Sequence, residues 1–290
     1  MITSQKIKEL RIKTGAGMMD CKTALENVDG DLESAIDWLR KKGINTAQKK
    51  SLRDASEGLI TISKKSNIAS IVEINSETDF VARNQDFQNF CKLISDTVIE
   101  SNSENIESLN KYRIKKSSKN VSEELTDMIS KVGENLIIKR FKLLETSNCF
   151  IQSYVHNSVN QDSGKIGVLL SLKCDNVSKE LEEFSKNLCM HIAATEPKSI
   201  SEKELDPEII KREKDVYFEQ LSDSNKSKEI IEKIITGKIN KFFEEVCLLD
   251  QYFVMENKVK IKDYIDIFCK QNNSQISIED FVIYKVGETF

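Results

Sequence analysis

The spacing of the apolar side chains changes character between Asp54 and Leu59, and this change limits the fold more than any other feature of the chain. Before it, apolar residues recur at helical intervals. Ser4 to Lys13 carries Ile7 and Leu10 on one side, and Gly15-Ala16-Gly17 interrupts it. Met18 to Val28 carries Cys21, Ala24, Leu25 and Val28 at helical spacing. Asp29-Gly30-Asp31 reads as a turn whose last residue caps a third helix, with Leu32, Ala35, Ile36 and Leu39 as its stripe. Gly43 is expected to end that helix, and Gln48 to Asp54 reads as a polar linker. After the change, Leu59 to Ile62 and Ile68 to Ile74 read as two strands joined by a polar turn. Mixed periods along one chain exclude an all-helical bundle and an all-β sandwich.

Further helical stripes are predicted at Phe87, Phe90, Cys91, Ile94 and Val98, over Glu123 to Val132 with Gly133 as its stop, and over Val177 to Ala194. Strands are expected over Leu136 to Leu144, near Phe150 to Val155, over Ile166 to Leu172 and over Ile276 to Val286, and a helix over Val259 to Cys269. From Pro207 to about Val246 the pattern is different. Ile209, Ile210, Val216, Tyr217 and Leu221 mark one helix, Ser222-Asp223-Ser224-Asn225-Lys226 is a polar break, and Ile230, Ile231, Ile234, Ile235 and Ile239 mark a second. This reads as a helical hairpin, too short for a long coiled coil, set into an α+β domain. The two prolines, Pro197 and Pro207, mark the approach to it.

Composition narrows function. With 39% hydrophobic residues the 290-residue chain can build a real core, and a net charge of -4 argues against full-length disorder. Lys and Arg number 43, but only seven are arginine, which disfavours phosphate or base recognition in nucleic acid. No span approaches the ~20 apolar residues of a membrane helix, and the N-terminus lacks a signal-peptide apolar region. Seven scattered cysteines without a CxxC fit a reducing compartment, so a cytoplasmic protein is expected. No metal-ligand spacing, Walker loop or GxGxxG occurs, and no cofactor is expected. Cys149 and His156 are an odd number of residues apart on an expected strand, so their side chains fall on opposite faces, and Cys189 and His191 are two apart on an expected helix. Buried structural cysteines are the simpler reading, and no catalytic residue is assigned. For the adjacent pair Met18-Met19 two readings stand level: one points outward, or both pack between small helices. Asp79 or Thr78 reads as an N-cap, with Phe80 as a staple residue in the local core.

Several blocks, in order, resemble the bacterial translation elongation factor Ts family. They are Lys8-Glu9-Leu10-Arg11 with Thr14-Gly15-Ala16-Gly17-Met18-Met19-Asp20-Cys21-Lys22, then Asp29-Gly30-Asp31 and Ala35-Ile36. Most specific is Glu73-Ile74-Asn75-x-x-Thr78-Asp79-Phe80-Val81-Ala82-Arg83-Asn84. Gly133-Glu134-Asn135, Tyr154-x-His156, Ile166-Gly167-Val168-Leu169 and His191-Ile192-Ala193-Ala194 continue it over nearly the whole chain.

The resemblance implies a guanine nucleotide exchange factor, without covalent chemistry of its own, that binds the GTPase elongation factor Tu in its GDP-bound and nucleotide-free forms. It implies an α+β fold: a small N-terminal three-helix, ubiquitin-associated-like domain over residues 1–54, then a core of two related subdomains with antiparallel sheets, at 55–140 and 141–290. A helical-hairpin insertion is expected at about 205–245. It implies partner contacts at Met18, Met19, Thr78, Asp79, Phe80, Val81, Val132, Gly133 and His156, with Asp79 and Phe80 entering beside the partner's nucleotide site. Departures from the family pattern are Asn157 after His156, a connection to Ile166 that reads as long, and a C-terminal module that reads as minimal after Val286-Gly287-Glu288. Three other classes compete: a helical adaptor working through its N-terminal unit, a cysteine-dependent enzyme, and a nucleic-acid binder using Lys41-Lys42 and Lys49-Lys50. Neither membrane nor direct nucleic-acid binding is expected.

Overall fold

A computed structural model describes residues 2–115, 117–147, 149–222 and 227–288. The fold is α+β with antiparallel strand pairing, and its contacts group the chain into two units. The first holds residues 1–143, 157–167 and 284–290, and the second 144–156 and 168–283. Among the described residues no helix is long and apolar enough to cross a membrane.

The first unit opens with helices α1 (Ser4–Thr14), α2 (Met18–Asn27) and α3 (Leu32–Lys50) around a small core of Leu10, Cys21, Ala24, Leu25 and Ala35. Thr3 and Asp31 cap α1 and α3 through their side-chain oxygens, which satisfies backbone N–H groups that a helix start leaves open. The third helix does not end at Gly43. It runs to Lys50, so 48–50 is its last turn rather than linker. Gly43 is instead a packing residue facing α7 (Val121–Val132), where an added Cβ would lie 2.9 Å from Ser130 Oγ. A helix glycine costs ~1 kcal/mol relative to alanine, and here it permits close approach of two helices. The Arg40–Glu123 ion pair lies along the same contact.

Strands β1 (Glu57–Lys65) and β2 (Ile68–Ser76) form an antiparallel hairpin with Lys65 opposite Ile68. They are followed by α4 (Asp79–Ala82), α5 (Gln85–Ser101), α6 (Ile106–Lys111), α7 and β3 (Leu136–Glu145), which pairs beside β2. Helix α5 lays Phe87, Phe90, Cys91, Ile94 and Val98 on the hairpin, the stripe its spacing predicts. At the other side of β1, Gly164 and Ser163 at the start of β5 (Ser163–Cys174) pair with Ile60 and Thr61. Gly58, the second residue of β1, has φ +130°, and a Cβ there would stand 2.1 Å from the Ile74 carbonyl oxygen. Gly58→Ala is therefore expected to lower unfolding stability by about 2–3 kcal/mol, measured by urea denaturation. An unchanged midpoint would refute the close approach.

In the second unit, β4 (Cys149–Ser158) and β6 (Ile276–Lys285) both neighbour β5. Helices α8 (Lys179–Thr195) and α11 (Ile261–Asn272) meet through aromatic rings, with Phe184 4.7 Å from Tyr264 and 4.2 Å from Phe268 between centroids. Between them stand α9 (Pro207–Ser222) and α10 (Lys228–Val246), the hairpin that the isoleucine spacing predicts. Only Ile231 and Ile239 are buried among their described residues, and Lys238 Nζ of α10 donates to Gln220 Oε1 of α9 at 2.8 Å. The base of the hairpin is closed by Lys198 N–H on the Val246 carbonyl at 2.8 Å and Leu248 N–H on the Ser199 carbonyl at 2.9 Å. Positions 223–226 of the expected polar break lie outside the described residues. The connection from β4 to β5 is a short turn over 159–162, closed by Val159 N–H on the Ser163 carbonyl at 2.9 Å. The expected long loop is instead strand on both sides.

Candidate partner-binding site

A four-residue helix cannot stabilise itself, because nucleation costs more than one turn of hydrogen bonds returns. Helix α4 is such a turn, and its neighbours hold it. Val81 and Ala82 are buried, 7% and 2% exposed, and root it in the core beside Phe87 and Leu59. Ser76 Oγ donates to the Thr78 carbonyl at 2.8 Å, and Gln88 Nε2 to the Ala82 carbonyl at 3.1 Å. Asn84 caps the following helix α5 by accepting from the amides of Asp86 and Phe87. The turn presents Asp79 and Phe80 to solvent, with Phe80 76% exposed. Phe80 is thus not a staple residue in the local core. The core positions of the turn are the two that follow it.

Thr78 has N-cap backbone geometry but makes no side-chain cap. Its hydroxyl donates to Glu134 Oε1 at 2.7 Å, and its amide to Glu134 Oε2 at 3.0 Å. Glu77 returns the contact, accepting the Asn135 amide at 2.6 Å and pairing with Arg53 at 3.3 Å. The Asn135 N–H, and to a lesser degree Arg53, hold the Glu77 carboxyl below its ordinary range. Asn135 Nδ2 donates to the Arg53 carbonyl at 2.7 Å. Asp79 faces Arg83 at 3.7 Å, an exposed pair worth little.

The other expected contact residues are placed as follows. Val132 ends α7, half-buried against the core around Phe87, and Gly133 follows with its carbonyl accepting Lys50 Nζ. Residues 132–133 thus adjoin the Thr78 turn in chain terms through Glu134. Met18 and Met19 open α2, and both are exposed, at 58% and 70%. The buried stripe of that helix begins only at Cys21, so neither methionine is needed by the core. His156 belongs to the second unit, near the end of β4, exposed, with Tyr154 Oη 2.9 Å from its Nδ1. Sequence reasoning gave no role to Glu77, Glu134 or Asn135. The signal was that 134 and 135 stand in one of the motif blocks.

The cysteine–histidine pairs offer little for nucleophilic chemistry. Cys189 and His191 are both fully buried on α8. His191 is held between Gln251 Oε1, 3.0 Å from Nε2, and the Val254 amide, which donates to Nδ1 at 3.3 Å. Burial pushes its pKa below 6.5, with the Gln251 contact partly opposing. The unfolded chain therefore binds this proton more readily. Stability should be level above the unfolded value, near 6.5, and fall as the pH drops through it toward the lower folded value. Melting curves between pH 7.5 and about 5 should show this step, reduced in His191→Gln. Loss confined to the carboxylate range below about 4.5 would contradict it. Burial also pushes the thiols of Cys21, Cys91, Cys174 and Cys247 upward, away from the reactive thiolate. Among the described residues no cluster of His, Cys, Asp and Glu suited to a metal ion occurs.

The family model described as Elongation factor TS matches residues 77–288. The chain is 45% identical over 288 residues to the elongation factor Ts of Rickettsia prowazekii, covering 99% of this chain and 92% of the relative. It is 43% identical over 291 residues to that of Clostridium kluyveri, covering 99% and 94%. To that of Rhodospirillum centenum it is 39% identical over 287 residues, covering 99% and 93%. A match that begins at Glu77, at the foot of the exposed turn, and runs to the last described residue, with relatives aligned along almost their whole length, places this chain in the elongation factor Ts family.

Proposed function

We propose that this protein is a guanine nucleotide exchange factor that binds elongation factor Tu, promotes GDP release, and allows GTP to rebind during translation elongation. The observation that carries the reading is Phe80, a large aromatic left in solvent on a turn whose neighbours are fastened to the core. Exposed aromatics on a fixed support suit insertion into a partner. Thr78, Asp79 and Phe80 form the inserting element, with Val81 as its root. Met18 and Met19 at the start of α2, the segment 132–133, and His156 supply further contacts.

GDP in a GTPase is held by backbone N–H groups around its phosphates and by Mg²⁺. Mg²⁺ demands near-ideal octahedral geometry, so a small displacement of the elements around it weakens the nucleotide. A wedge such as Phe80 supplies that displacement, and Asp79 adds polar contacts beside it. The factor binds the nucleotide-free GTPase more tightly than the GDP form. By linkage, GDP weakens factor binding by the same ratio. No covalent intermediate and no cofactor in this chain enters the scheme.

The test follows release of a fluorescent GDP analogue from elongation factor Tu with and without this protein. Acceleration that saturates with factor concentration supports the reading. A release rate indifferent to the factor sinks it.

A further inference from the structure

The geometry points to Glu134 as a positioning residue for Phe80, acting through Thr78; the inference rests on the exchange reading above. Three observations carry it. The helix that bears Phe80 is four residues long and follows a threonine that provides no side-chain cap, so its first N–H groups gain nothing from that residue. Both carboxylate oxygens of Glu134 are engaged by that one threonine, Oε1 by the hydroxyl at 2.7 Å and Oε2 by the amide at 3.0 Å. The contact is also reciprocal. Glu77, the residue before Thr78, takes the amide of Asn135, the residue after Glu134, at 2.6 Å. Two neighbouring residues on each segment exchange contacts across 56 to 58 positions of sequence.

A single hydrogen bond leaves a peptide free to rotate about it. Two bonds to one planar carboxylate, plus a third in the opposite sense, fix direction as well as distance. Thr78 lies two residues before Phe80, so the direction in which the chain enters α4 sets where the ring points. The buried pair Val81 and Ala82 holds the far side of the turn. Glu134 holds the near side. Without it the core contacts remain and Glu77 stays on Asn135, but Thr78 keeps only the Ser76 bond to its carbonyl among the side-chain contacts described for it, and its hydroxyl and amide are released. Ordering that segment at the moment of binding then opposes exchange.

The experiment uses the full chain. Backbone ¹⁵N relaxation on wild type and Glu134→Ala reads the order of residues 79–81 directly. Order parameters are expected to fall from about 0.85 to below about 0.6 in the variant, with β1 and β2 unchanged. Release of the fluorescent GDP analogue is measured in parallel. Glu134→Ala is expected to lower the saturating rate about tenfold, with less than about a twofold change in the half-saturating factor concentration. Glu134→Gln, which keeps one acceptor, is expected to fall between. Added to Phe80→Ala, the Glu134→Ala change is expected to slow release no further. Unchanged order parameters in Glu134→Ala overturn the inference, as does an equal tenfold loss in the Phe80→Ala background. Wild-type protein that fails to accelerate release overturns the exchange reading instead, and the order parameters then still decide whether Glu134 holds the turn.

Discussion

Replacing Phe80 with alanine is expected to slow factor-stimulated GDP release about 30-fold while leaving the melting temperature where it was. The two halves of this result have one cause. Phe80 is 76% exposed, so its ring contributes almost nothing to the packing of the free protein. Exposed substitutions of this kind stay within about 0.5 kcal/mol. In the proposed complex the same ring goes from water into a protein pocket, a transfer worth about 1.5–3 kcal/mol. A central aromatic contact of about 2 kcal/mol corresponds to roughly a 30-fold factor. The neighbours provide the contrast. Val81 faces the core at 7% exposure, so shortening it should cost stability first and exchange second. Among the described residues, Asp79 has Arg83 as its charged partner, at 3.7 Å. Its replacement by alanine should be silent in melting and smaller than Phe80→Ala in exchange. Stopped-flow release of the fluorescent GDP analogue and a melting curve on the same samples settle the matter. Wild-type exchange by Phe80→Ala at every factor concentration would remove the wedge from the mechanism. The helical adaptor reading would then gain, since it needs only the N-terminal helices.

What the sequence revealed depended on whether a local signal and a tertiary demand agreed. The stripe of α5 was readable because burial against β1 and β2 follows the helical period with no exception from Phe87 to Val98. Gly43 misled because glycine is both a stop signal and a device for close packing, and the partner that selects the second use, Ser130, is far away in sequence. Met18 and Met19 read as a pair with at most one residue outward, yet both are exposed because the buried residues of α2 begin at Cys21. Phe80 was readable as important only through family resemblance. On local chemistry alone an aromatic after a capping residue reads as a staple, and nothing near it reports that Val81 and Ala82 occupy the core instead. The support of the turn was the least legible part. Glu134 and Thr78 are ordinary surface residue types, and no periodicity links them. β2 hid a further feature. Alternation predicts that one face of a strand meets water, but every residue from Ala69 to Ser76 is buried, so both faces are covered. Glu73 therefore sits where a glutamate on an alternating strand is not expected.

Glu73→Ala is expected to lower stability by about 3–5 kcal/mol, the largest loss foreseen here for a single substitution. Its side chain is completely enclosed. One oxygen meets Arg140 Nε at 2.6 Å; the other accepts the Gly287 amide at 3.0 Å and faces Asn75 Nδ2 at 3.3 Å. Lys139 Nζ is 3.8 Å away. Arg140 in turn reaches Glu288 at 3.1 Å and the Lys285 carbonyl at 3.2 Å, with its guanidinium 4.0 Å from the centre of the Tyr284 ring. Burial pushes the Tyr284 hydroxyl pKa up, Arg140 pulls it down and Glu73 adds to the rise. Residues 284–288 are thereby fastened over β2 and β3 by one ion-paired group. A desolvated carboxylate is stabilising only while its partners are in place, and the same holds for the guanidinium. Removing Glu73 leaves Arg140 enclosed, with Glu288, a partly exposed and weaker partner. The cost is thus mostly that of a largely buried cation deprived of its nearest carboxylate rather than the net worth of the pair. That argument makes a second, opposite forecast. Replacing Glu73 and Arg140 together by leucine and methionine removes both charges and should recover most of the loss. Urea unfolding of the two single variants and the double gives the cycle. If the double variant is as unstable as the sum of the singles, the pair is not the source of the effect. Hydrogen exchange adds a local readout, because the Gly287 amide, which donates to Glu73, should lose its protection in Glu73→Ala before the β1–β2 ladder does.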